Sequence, residues 1–138
     1  MYHTIIVVGN VGRDAEMRYT PSGAAVASFS VATNREYTSS SGEKVKETVW
    51  FRISAWGKQA EVCNQYVKKG MMVLVEGRLN ADPNTGGPRL WGDPVRASFE
   101  VTAGTVRFLS SRGEYEPSGG GGQMDAGDML PPEDDIPF

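Results

Sequence analysis

Residues 48–57 read Thr-Val-Trp-Phe-Arg-Ile-Ser-Ala-Trp-Gly, and they alternate. Phe51, Ile53 and Ala55 fall on one side, and Trp50, Arg52, Ser54 and Trp56 on the other. That is the two-residue period of a β-strand. The first side needs a core to bury it, so the chain must build a sheet with an interior. The second side should meet solvent, yet it carries two indoles with a guanidinium between them. On this stretch alone two fates are open for Trp50 and Trp56. They are core or subunit-interface residues, since Trp is highly buried on average. Alternatively they are flat faces on which bases stack, beside cations that neutralise phosphates.

Elsewhere the chain punctuates itself with turns. Residues 3–8 are a short β-branched run that predicts a strand ending at the turn signal Gly9-Asn10. Gly9 and Gly12 lack the third glycine of a dinucleotide fingerprint, which leaves a bend in or after the strand. Arg13 and Arg18 follow on an irregular, exposed strand or loop, and Pro21-Ser22-Gly23 is a turn, with Pro presetting φ and Gly accepting a positive one. Residues 24–37 form the second strand, with Ala27, Phe29 and Val31 on one side and Ser28 and Ser30 on the other. It continues into the polar Asn34-Arg35-Glu36-Tyr37, turns at residues 39–42, and returns through Lys44 and Lys46. Residues 25–57 therefore predict one long hairpin with a basic, protruding loop, placing Tyr37 near Trp50 or Trp56. Lys44 and Lys46 equally suit a solvated edge that resists aggregation.

At residues 58–69 the period becomes helical, with Ala60, Cys63, Tyr66 and Val67 in step. Lys68 and Lys69 suit a last turn and Gly70 a C′ glycine. Cys63 then sits on the apolar stripe as a small buried hydrophobe. Residues 71–79 return to strand, and residues 80–94 read as a loop that carries Arg89 and Trp91. Strands at 97–102 and 105–109 follow, separated by Gly104.

Three strands, a helix and two strands are the order of an OB-fold, a mainly-β, five-stranded Greek-key barrel with one helix between strands three and four. That fold binds oligonucleotides or oligosaccharides on strands two and three and on the loops joining strands one to two and four to five. Tyr37, Trp50, Arg52, Trp56 and Trp91 all map there, which favours the stacking surface over burial. Position and charge add Arg35, Arg78 and Arg89 as candidate phosphate contacts.

Charge and composition divide the chain. Residues 1–110 carry a balance of +3 and residues 111–138 one of −6, giving the net −3. Residues 111–138 hold six Gly and four Pro and are expected to be a disordered acidic tail on a 1–110 OB-fold domain. The tail finishes on residues 133–138: Glu133, Asp134, Asp135, Ile136, Pro137 and Phe138. An aromatic beside a carboxylate and acids is a compact ligand for a basic, apolar pocket on another protein.

Several classes are disfavoured. The one cysteine allows no internal disulfide framework and fits a reducing cytoplasm. The first residues lack the basic and apolar regions of a signal peptide, and no stretch has the apolar length of a membrane span. His3 is the one histidine, and the common hydrolase, P-loop and metal motifs are missing. A floppy tip could not hold Asp134 and Asp135 as catalytic carboxylates. The expectation is a binding protein, not an enzyme, with no cofactor or metal.

The segments Val8-Gly9-Asn10-Val11-Gly12-Arg13-Asp14, Arg18-Tyr19-Thr20-Pro21-Ser22-Gly23, Ala25-Val26-Ala27, Trp50-Phe51-Arg52, Trp56-Gly57-Lys58, Lys69-Gly70 and Val75-Glu76-Gly77, with the final Asp-Asp-Ile-Pro-Phe, carry a resemblance. In these the sequence resembles the bacterial single-stranded DNA-binding proteins. The resemblance implies stacking roles for Trp50, Trp56 and Tyr37, a looser match for Trp91, and basic positions near the DNA path for Arg18, Arg52, Lys58 and Lys69. It implies a homotetramer of OB-folds in the cytoplasm, associated with the nucleoid. Such a protein coats single-stranded DNA in replication, recombination and repair and recruits partners through its tip. An OB-fold for RNA or oligosaccharide is the alternative.

Overall fold

The computed structural model describes residues 1–110, so the expectations for residues 111–138, the acidic tail and its tip included, lie outside the described residues. The elements in order are β1 (Ile5–Val11), β2 (Glu16–Tyr19), β3 (Ala25–Thr38), β4 (Lys44–Trp56), α1 (Lys58–Tyr66), β5 (Met72–Asn80), β6 (Arg89–Trp91) and β7 (Arg96–Phe108).

Five of these strands close on themselves. β1 pairs antiparallel with β5, and β5 antiparallel with β7. β7 runs parallel to β4, and β4 antiparallel to β3. β3 meets β1 again at Asn10↔Ala32 and Val11↔Val31, completing the ring. With α1 between the third and fourth barrel strands, this is the OB-fold. β2 and β6 are short additions within the first and last connecting loops, β2 on the edge of β3 and β6 on β7.

The interior follows the two-residue pattern. Ala27, Phe29 and Val31 of β3 and Ile53 and Ala55 of β4 are buried, joined by Val73, Val75, Val101 and Val106. Each large apolar side chain so buried contributes about 1.5–3 kcal/mol. Phe51, from the same side of β4, is only half-buried and lies 6.0 Å, centroid to centroid, from Phe99 at the barrel rim. Ala60 and Cys63 of α1, with Val67 just beyond it, pack into the same core. The chain swings from β4 into α1 at Gly57, whose φ of 63° is a glycine conformation.

Four boundaries differ from the sequence reading, each for a tertiary reason. β1 runs through Gly9 and Asn10 instead of turning there. A Cβ on Gly9 would collide with the Ala32 carbonyl oxygen, so the glycine marks the close approach that shuts the barrel. β7 is one 13-residue strand across Gly104, not two; the pairing steps from Glu76↔Thr105 to Gly77↔Ala103, so Gly104 is the extra residue of a bulge within the strand. α1 stops at Tyr66, three residues early, where Val67 turns extended (φ −72°, ψ 114°). There the Lys69 N–H donates to Asp14 Oδ1 at 2.8 Å and the Gly70 N–H to the Val11 carbonyl at 2.8 Å. Gly70, with φ 91°, therefore serves the turn into β5, not the helix end. Finally, the 80–94 loop contains β6, discussed below.

Cys63 is fully buried, and burial pushes its thiol up from an ordinary 9.0 to about 12. The neutral thiol is thus favoured in the folded state. Its contribution to stability is complete below about pH 9 and is lost as pH rises toward 12. At pH 8 a thiol reagent should label the native protein far more slowly than the urea-unfolded chain, and a matching fast rate in both would contradict this burial.

Candidate nucleic-acid interface

The β3–β4 ladder is unbroken from Val26↔Trp56 to Thr38↔Lys44, so its geometry follows from parity. Odd-numbered residues of both strands face the core side and even-numbered ones the outer side. Trp50 and Trp56 lie on the outer side and are 54% and 48% exposed. They are not core residues. Six residues of strand separate them by about 20 Å.

Between them the outer face is floored by small side chains. Ala32 lies opposite Trp50, Ser30 opposite Arg52, and Ser28 opposite Ser54. Short residues here leave room above the sheet, and Arg52 stands exposed in that space. The pairing extends sideways. Arg18 on β2 pairs with Val26, whose other partner is Trp56, so cation, floor and indole form one row across three strands. A second row runs from Ser54 through Thr102 on β7 to Arg78 on β5. Lys58, the first residue of α1, follows Trp56 and Gly57 and is exposed. Among the described residues Arg18, Arg52, Lys58 and Arg78 make no ion pair, leaving their charge available for an anion.

Other candidates lie apart from this face. Tyr37 pairs with Val45, on the odd-numbered side and near the hairpin tip. It is therefore not beside Trp50 or Trp56, contrary to expectation, because the unbroken register holds it five residues beyond Ala32 and on the opposite side of the ribbon. Its neighbour there is Arg35, whose guanidinium lies 4.9 Å from the ring centroid and 4.0 Å from Glu47. Lys46 bridges to Glu36 at 3.1 Å, in keeping with a solvated edge. Trp91 belongs to β6, not to an unstructured loop, and is 53% exposed. Arg89 reaches Glu100 at 3.9 Å, which offsets part of its charge. Lys69 is exposed in the turn after α1, where Asp14 holds its backbone.

Residues 2–109 match the single-strand binding protein family. This chain belongs to that family. It is 39% identical over 116 residues to a single-stranded DNA-binding protein of Wolinella succinogenes, covering 82% of this chain and 67% of the relative. A protein of the same name from Neisseria meningitidis is 36% identical over 110 residues, covering 80% and 61%. The chain thus spans roughly two thirds of the length of these relatives. Among solved structures, a deletion mutant of the single-stranded DNA binding protein from Thermus aquaticus aligns with a TM-score of 0.61 at 27% identity, covering 80% of this chain and 51% of that one. A Plasmodium falciparum SSB in complex with ssDNA aligns with a TM-score of 0.64 at 24% identity, covering 80% and 96%, a likeness of fold.

In this member of the single-strand binding protein family, two residues packed against candidate tryptophans escaped the sequence reading. Arg96 pairs with Trp91 across the β6–β7 hairpin, and its guanidinium lies 5.6 Å from the ring centroid. The signal was the Gly92-Asp93-Pro94 turn cluster between them, which marks a hairpin. Gly12 lies against the Trp50 indole, a contact between distant strands with no local signature.

Proposed function

We propose that this single-strand binding family member binds single-stranded DNA without sequence preference and without catalysis. The observation that carries the reading is the pair of half-exposed indoles, Trp50 and Trp56, on one outer face with Arg52 between them and Arg18 alongside. Base faces stack on the indoles, and since every base has one, sequence matters little. Arg18, Arg52, Lys58 and Arg78 neutralise phosphates. Trp91 with Arg96, and Tyr37 with Arg35, offer further stacking positions to a strand leaving the central face. Lys69 and Arg89 are lesser phosphate contacts.

The names of the curated relatives support this substrate. If four cations contact phosphates, log Kobs against log salt should have a slope of about −3 per chain, at about 0.7 per contact. Duplex of the same length hides its base faces and should bind much more weakly. Anisotropy titrations with oligo-dT and duplex across a salt series test both points. Equal affinity for duplex, or an absent salt slope, would remove the proposal.

The biological setting we assign is the coating of single strands in DNA replication, recombination and repair, in the cytoplasm. The chain divides at about residue 110, and the acidic residues 133–138 act as the recruiting element for partner proteins. Deleting 133–138 should leave oligo-dT affinity intact or slightly tighter while retention of a replication or repair partner on the immobilised protein is lost. Undiminished retention would reject the tip as the recruiter.

Assembly into a homotetramer is supported by β1. Its ladder to β3 is confined to Asn10 and Val11, so the remainder of that edge is open to pairing among the described residues. Ile6 and Val8 on β1 and Met72 on β5 are apolar and exposed beside it. Sedimentation equilibrium at about four times the chain mass is the expected result, and a monomer would exclude it.

A further inference from the structure

Gly12 follows β1 directly, and its N–H donates to the Ser30 carbonyl at 2.9 Å, adding one bond to the β1–β3 closure. Its neighbour Val11 is fixed twice, donating to the Met71 carbonyl and accepting from Gly70, each at 2.8 Å. The backbone is therefore held at Gly12 and at the residue before it. A Cβ added there would stand 2.5 Å from Cζ3 and 2.9 Å from Cη2 of Trp50. Those are outer atoms of the six-membered ring of the indole. The same Cβ would meet Ser30 Oγ at 3.0 Å. Gly12 is absent from the glycines with positive φ, so its backbone conformation does not itself demand glycine. What demands it is the ring.

We infer that Gly12 is a positioning residue for single-strand binding, its bare backbone serving as the seat that fixes the Trp50 indole over the β3–β4 floor. The inference rests on the proposed stacking role of Trp50 and extends it to a residue that need not touch DNA. When a methyl group occupies the seat, the pinned backbone cannot retreat, and the end of the Trp50 side chain is the part free to move. The ring turns about its side-chain torsions into a new position. That costs little stability, because Trp50 is more than half exposed, but it displaces the surface on which a base must lie. Phenylalanine at position 50 still offers a flat ring and lacks the outer atoms that the new methyl would strike.

The test is a double-mutant cycle on the full chain, with oligo-dT affinity and thermal melting as readouts. Gly12→Ala should weaken oligo-dT binding about 5-fold, part of the stacking contribution of one base, with little change in melting. Trp50→Phe sets the reference affinity of a second background, and Gly12→Ala on that background should cost nothing further. A purely structural role for Gly12 would give the same loss in both backgrounds and would overturn the inference, as would Gly12→Ala binding like the parent. Should Gly12→Ala fail to fold, recovery of folding in the Trp50→Phe background supports the seat, and failure in both backgrounds rejects it. Trp50→Ala separates the two layers. If it leaves affinity unchanged, the stacking reading falls and the inference with it; if it weakens binding while the cycle is additive, the inference alone falls.

Discussion

Replacing Trp50 and Trp56 together by alanine should weaken oligo-dT binding by about 2–6 kcal/mol, two stacking contributions of about 1–3 kcal/mol each. The contributions should add, because about 20 Å of strand separates the two positions. The fold should survive. Both side chains project from the outer face of β4, and neither belongs to the buried core. Circular dichroism and melting of the double variant should match the parent, so the loss reads as lost contact with the strand. A double variant that binds oligo-dT as tightly as the parent would show that bases lie elsewhere. A double variant that unfolds would show that the indoles hold the barrel together, which their exposure argues against.

A large effect on stability is expected at Gly9. Gly9→Ala should lower the unfolding free energy by about 3 kcal/mol, the upper range for forcing extra volume into a packed site. The added Cβ would strike the Ala32 carbonyl oxygen and come within 2.9 Å of Val31 Cγ1. Neither can step aside, since Ala32 is backbone in the β3 ladder and Val31 is fully buried. Val31 and Ala32 are also the β3 residues that meet β1, so any retreat opens the barrel seam. Urea unfolding should show a lower midpoint with an unchanged slope. An unchanged midpoint would mean the seam has slack that the geometry does not show. The contrast with Gly12 is instructive. At Gly9 the obstacle is backbone and the cost falls on stability, whereas at Gly12 it is the end of an exposed side chain and the cost falls on binding.

Local pattern made much of the barrel legible. The alternation of Phe29 with Val31, and of Ile53 with Ala55, placed the inner faces because one side of each strand must be buried. The same alternation put Trp50, Arg52 and Trp56 on the outer face. What local pattern could not supply was register. Tyr37 and Trp50 both sit on the long hairpin, but parity and distance along the ladder separate them, and only the Tyr37↔Val45 pairing reveals it. The glycines misled for a related reason. Gly9 and Gly104 look like punctuation in a linear reading, yet Gly9 marks where another strand's backbone passes and Gly104 lies inside a continuous strand. The end of α1 was missed because Asp14, 55 residues away, captures the Lys69 N–H. Trp91 was assigned to a loop because three residues of strand are too few to show a period. Arg96, its partner, is announced only by the Gly92-Asp93-Pro94 turn between them, which marks the hairpin without giving its register.

The most direct test of the central claim is a titration of intrinsic tryptophan fluorescence with oligo-dT, oligo-rU and an oligosaccharide in parallel at low salt. Stacking of DNA bases on Trp50 and Trp56 predicts strong, saturable quenching by oligo-dT that is reversed by added salt and largely lost in the Trp50→Ala/Trp56→Ala variant. Quenching by the oligosaccharide or by oligo-rU alone, with oligo-dT inert, would contradict it.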